Sequence, residues 1–136
     1  MAKIKQDLRD VKDLSQACEA GVYQCIVKKI EQKIGKESGN PYLNVQLEVE
    51  DGPWEGKTFF SVLAMPADVN KWFAIKQFAE ALGYDTSSEA LNVDTDEWVG
   101  AKINVRVNKV LDEYKTTDEA NPIYKNEVKQ YFQYSA

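Results

Sequence analysis

At 136 residues the chain is long enough for one domain with its own core and short for two. It has 17 Lys and Arg against 22 Asp and Glu, a net charge of −5, two cysteines and no histidine. Without histidine, an imidazole general base, a Ser-His-Asp triad and a zinc site with imidazole ligands are excluded, and two cysteines fall short of the four ligands of a structural zinc site.

The chain has no apolar run long enough to span a bilayer, and its start, Met1 to Asp7, lacks the apolar stretch of a signal peptide. The expectation is a cytoplasmic protein with no membrane partner, in which Cys18 and Cys25 are reduced thiols and Cys25 is buried. Residues 1–20 read as an N-terminal segment, a weak polar helix or an ordered tail, with Leu8, Val11 and Leu14 at helical spacing. Residues 21–136 read as a single domain.

Strand one is expected over about 21–34, followed by the flexible, basic tract Gly35-Lys36-Glu37-Ser38-Gly39. Strand two, about 42–50, alternates strictly: Leu43, Val45, Leu47 and Val49 face a core, while Tyr42, Asn44, Gln46 and Glu48 face away. The turn 51–56 leads into strand three, about 57–64. Pro66-Ala67-Asp68 opens a helix over about 67–82, with Trp72, Ile75, Phe78, Ala79 and Leu82 on one stripe and Gly83 as its stop. In the acidic link that follows, Asp94-Thr95-Asp96-Glu97 lacks the glycine and terminal glutamate of a calcium loop and reads as solvated linker. Strand four sets Ile103, Val105 and Val107 against Lys102, Asn104, Arg106 and Asn108, and after a polar loop at 111–123 strand five covers about 124–134. Three strands, a helix and two strands with long loops after strands one and four is the order of an OB-fold. The expected architecture is therefore mainly β, a five-stranded Greek-key barrel with one helix between strands three and four.

The charges are unevenly spread, with cations on strands one and four and acids in the connectors, so a basic sheet face rimmed by acidic loops is compatible with the negative total. Seven tyrosines, five phenylalanines and three tryptophans exceed the needs of one small core. Tyr42, Trp54, Tyr114, Tyr124 and Tyr131 are candidate stacking rings. Lys28, Lys33, Lys36, Lys57, Arg106, Lys125 and Lys129 are candidate phosphate contacts. Tyr42, Asn44 and Gln46 are expected to share one groove with Lys33, Lys36 and Arg106, and Tyr114 and Lys115 to form its other wall. No catalytic residue, metal ligand or cofactor is expected.

Gly21-Val22-Tyr23, Ser38-Gly39-Asn40-Pro41-Tyr42-Leu43-Asn44-Val45, Gly56-Lys57, Leu82-Gly83, Val99-Gly100-Ala101-Lys102 and Tyr124-Lys125-Asn126-Glu127-Val128 resemble a family of small bacteriophage proteins. That family is similar to phage single-stranded DNA-binding proteins with an OB-fold, and the resemblance covers about residues 21–134. It implies a non-enzymatic protein that coats single-stranded DNA during phage replication or recombination, in the host cytoplasm, alongside replication or recombination proteins. A homodimer is compatible with it. Many single-strand binders end in an acidic tail that recruits partners; this sequence ends Gln130-Tyr131-Phe132-Gln133-Tyr134-Ser135-Ala136, so that recruitment is not carried over. Two other readings stay open: an OB-type protein-interaction or structural module, and a carboxylate-dependent nuclease.

Overall fold

The computed structural model describes residues 2–87, 90–118 and 120–135. Its five strands are β1 (Gly21–Ile34), β2 (Pro41–Val49), β3 (Thr58–Ala64), β4 (Lys102–Leu111) and β5 (Tyr124–Gln133), with one helix, α1 (Phe73–Ala81), between β3 and β4. All neighbours are antiparallel, in the order β3-β2-β1-β4-β5. β1 serves two partners, pairing with β4 through residues 21–26 and with β2 through residues 25–34.

Alternation decides which side each residue takes. Leu43, Val45, Leu47 and Val49 are buried on β2, and Ile103, Val105 and Val107 on β4. Each such side chain, fully buried, contributes about 1.5–3 kcal/mol of transfer free energy. Two bulges break the pattern. Lys28 is the extra residue of β1 between Val27 and Lys29, and Lys129 is passed over in β5 where the register shifts between Arg106 and Val107.

The expected continuous helix over 67–82 is shorter. Asp68 accepts a hydrogen bond from Asn70 N (2.9 Å) and caps a 3-10 turn, Val69–Lys71, before α1 begins at Phe73. Trp72 breaks the two apart with a non-helical backbone (φ −80, ψ 51), its indole N–H donating to Pro66 O at 2.7 Å. The apolar stripe is otherwise as expected: Ile75, Phe78 and Ala79 are buried, and Trp72 and Leu82 pack at its ends. Gly83, at φ +98, closes the helix in a Schellman arrangement in which Tyr84 N donates to Ala79 O and Gly83 N to Glu80 O.

Helix α1 lies against β5 and β3. The Phe78 ring meets Tyr131 edge-on at 5.2 Å and Trp98 at 5.2 Å. The expected closed barrel is not formed: the strands make one open sheet, and among the described residues no ladder joins β3 to β5. The side chains of Ser61 and Tyr131 meet between those two edges, hydroxyl to hydroxyl, where a closing ladder would have run.

The N-terminal segment forms no helix among the described residues, only isolated turns such as Val11 N to Leu8 O. Its last part is tied across the sheet. Lys57 Nζ donates to Leu14 O (2.9 Å) and Gln16 O (2.8 Å), and Trp54 Nε1 to Glu19 Oε2 (2.7 Å). Gly56, at φ +88, sits under Leu14 Cδ1, which a Cβ would approach to 3.2 Å.

Candidate functional site

The outer face of β1, β2 and β3 is built from cross-strand rows. Lys33 stands opposite Tyr42, and Tyr42 opposite Ala64; Glu31, Asn44 and Val62 make the next row; Lys29, Gln46 and Phe60 the third. Because β3 alternates, Phe59, Ser61 and Leu63 turn inward, and Phe60 and Val62 are left outside. Phe60 is 61% exposed, an apolar ring in the middle of a polar face. Tyr42 lies four residues along β2 from the row of Phe60, roughly 13 Å away along the strand.

Charges on this face are partly committed. Lys29 reaches Glu31 at 2.7 Å and holds its carboxyl below the usual carboxylate range, and Lys28 lies 3.4 Å from Glu48. Lys33 and Lys36 are exposed and outside every ion pair among the described residues. Lys36 sits in the β1–β2 loop, which Gly35 N closes by donating to Asn40 O at 2.8 Å.

Phe60 also borders a cleft of about 320 Å³ between β3 and β5, with Lys57, Lys115, Lys125 and Tyr124 on its walls. The loop carrying Lys115 is held in shape by buried Asp112, whose Oδ1 accepts from the backbone N–H groups of Tyr114 and Lys115, both at 3.1 Å. Thr116 Oγ1 accepts from Ile123 N and donates to Ile123 O, closing the loop's base. Tyr114 projects from it, 94% exposed. Lys129 lines an adjoining hollow with Phe60 and Val62, and lies 2.8 Å from Glu127.

The sequence-derived candidates thus fall into groups. Lys33, Tyr42, Asn44 and Gln46 share the sheet face, with Lys36 in the loop at its end. Lys57, Lys115, Tyr124 and Lys125 gather at the cleft. Arg106 does not join them: it pairs with Val22, at the far end of β1 from Lys33 and Tyr42, and its guanidinium lies 5.5 Å from the Phe132 ring. Trp54 and Tyr131 are buried, the first under the N-terminal segment, the second against Phe78. Lys28 occupies the β1 bulge beside Glu48.

Phe60 and Val62, the apolar centre of the face, do not stand out in the sequence. In Phe59-Phe60 and Val62-Leu63 both sides of the strand are apolar, so alternation gives no contrast; placing Leu63 opposite Leu43 in the register would have turned Phe60 outward. Among the described residues, no three Cys, Asp or Glu side chains gather as metal ligands, and no helix is long and apolar enough to cross a membrane.

A family model described as "Protein of unknown function (DUF669)" matches residues 4–135. The chain belongs to this family. The match takes in the N-terminal segment as well as all five strands. No curated protein matches the chain.

Proposed function

We propose that this DUF669 protein binds single-stranded DNA without sequence specificity and coats it during phage replication or recombination. Phe60 carries the reading. It is an exposed ring on the same face as Tyr42, Asn44 and Gln46, and it borders the cleft walled by Lys57, Lys115 and Lys125, so one side chain joins a stacking surface to a cationic one. Stacking of a base on an aromatic ring contributes about 1–3 kcal/mol whatever the base, and lysines add a salt-dependent attraction to phosphates. The track would run from Lys36 over Tyr42 and Phe60 to the loop of Tyr114 and Lys115.

Under this reading the open sheet is an OB-type barrel with its seam between β3 and β5. The face of β2 and β3 and the two long loops are the surfaces with which OB-folds take oligonucleotides. The role is binding rather than catalysis, in a host cytoplasm, beside phage replication or recombination proteins.

Fluorescence polarisation with labelled oligo-dT and with a duplex of equal length, at several salt concentrations, tests the proposal. The single strand should bind more tightly, with a log–log salt slope of about −0.7 for each phosphate neutralised. Equal affinity for duplex, a flat salt response, or magnesium-dependent loss of intact oligonucleotide would overturn it.

A further inference from the structure

Part of the cleft between β3 and β5 is walled by the N-terminal segment, whose Ser15 and Ala17 stand there beside Lys57, Lys115 and Lys125. The segment crosses from one edge of the sheet to the other. Lys57, just before β3, holds it at Leu14 and Gln16, and Asn126 of β5 holds it at Cys18.

The two attachments differ in kind. Cys18 is fully buried, and the Asn126 amide pairs with both its backbone groups. Leu14, Ser15 and Gln16 are exposed, and the Leu14 side chain, 40% exposed, rests against Gly56. Among the described residues, residues 2–13 make no hydrogen bond to the sheet; Lys12 lies 5.6 Å from the Trp54 ring. A segment attached in this way pivots at Cys18 when Lys57 lets go.

The bonds that Lys57 makes are exchangeable. Its ammonium donates to two neutral carbonyl oxygens, and it belongs to no ion pair among the described residues. A phosphate oxygen, which carries charge, is the stronger acceptor for an ammonium. Asp13 adds an anion on the segment's side: hydrogen bonds from Ser15 and, more weakly, the charge of Lys57 hold its carboxyl below the usual carboxylate range. A phosphate approaching Lys57 thus meets acceptors that are already in place.

We propose that residues 2–17 form a strap that competes with single-stranded DNA for Lys57: a phosphate displaces Leu14 O and Gln16 O, and the strap swings out about Cys18. The inference rests on the reading of the cleft as part of the DNA track. Only the open form presents Lys57, so the closed strap weakens apparent binding in proportion to its population.

Oligo-dT titrations of full-length variants, with amide heteronuclear NOEs of the parent, test it. Leu14→Ala, which loosens the strap and touches no lysine, should bind about three- to tenfold more tightly with the parent's salt slope. Lys57→Ala should flatten that slope by about 0.7, because one phosphate loses its lysine. In the parent, the NOEs of residues 14–17 should fall on saturation with oligo-dT while those of Cys18 and Ala20 hold. A parent that does not bind oligo-dT would overturn the reading of the cleft and the inference with it. Binding with the NOEs of residues 14–17 unchanged or raised, a Leu14→Ala affinity equal to the parent's, or an unchanged slope in Lys57→Ala would overturn the inference alone.

Discussion

Asn126 and Cys18 exchange two hydrogen bonds: Cys18 N donates to Asn126 Oδ1 and Asn126 Nδ2 donates to Cys18 O, both at 2.9 Å. A side-chain amide on β5 thereby does what a neighbouring strand would do, satisfying both backbone groups of a buried residue. With Lys57 holding Leu14 and Gln16, it ties the N-terminal segment to both edges of the open sheet.

Replacing Asn126 by alanine should therefore cost about 1–3 kcal/mol, since it leaves buried backbone groups without partners. Asn126→Asp should cost a similar amount, because it keeps the acceptor and loses the donor. Urea unfolding gives the free energy, and amide exchange should show faster opening of residues 14–19 in both variants. Unchanged protection there would mean that the segment is held by other interactions.

Phe78 is fully buried and packs against Trp98 and Tyr131 at once. Phe78→Ala should destabilise by about 3–5 kcal/mol, near the upper end for a core truncation. Leu82→Ala, at a half-buried position, should cost less. Thermal and denaturant melts of the two variants give the comparison, and a Phe78 variant as stable as the parent would remove α1 from the core.

The strands were legible because alternation marks them. Leu43, Val45, Leu47 and Val49, and Ile103, Val105 and Val107, face the core as their alternation reads, although Asn104, read as polar-side, is buried where its Nδ2 donates to Ser135. What escaped the sequence was phase. Tyr131 shares its parity with Lys125, Glu127 and Lys129, so uninterrupted alternation puts it on their polar side; the bulge at Lys129 turns it inward with Val128. Trp54 reads as a loop ring but is buried in the core cluster, with its indole N–H donating to Glu19 of the N-terminal segment, a long-range interaction that no local pattern encodes. Arg106 belongs to a cationic strand, but the length of β1 separates it from Tyr42.

Burial pushes the Cys25 thiol up to about 12 and raises that of Cys18. A thiol whose folded pKa lies above its unfolded value, near 8.5, contributes stability that is complete below that value and is lost as pH rises toward the folded one. The unfolding free energy should thus fall as pH is raised above about 9, and Cys25→Ala should lose less of it over that range. Below pH 8 both thiols should be inert to Ellman's reagent in the folded protein and react fully in denaturant. Rapid reaction of either thiol in the native state would show that its shielding is transient.

The side chains proposed to hold single-stranded DNA separate by kind. Phe60 is mostly exposed, so Phe60→Ala should leave the melting temperature nearly unchanged while weakening oligo-dT binding by about 1–3 kcal/mol, with the salt slope intact. Tyr42→Ala should weaken binding in the same way, with a modest loss of stability because its ring is half-buried. Lys36→Ala and Lys115→Ala, each at an exposed loop position, should instead flatten the salt slope by about 0.7 for each phosphate that the lysine would have neutralised. Arg106→Ala should do neither, since the register puts it at the other end of β1. Polarisation titrations of the five variants at three salt concentrations separate the two effects. If Phe60→Ala and Tyr42→Ala bind as the parent does while Arg106→Ala fails, the ligand lies on the face of β4 and β5, and the track over β2 and β3 is wrong.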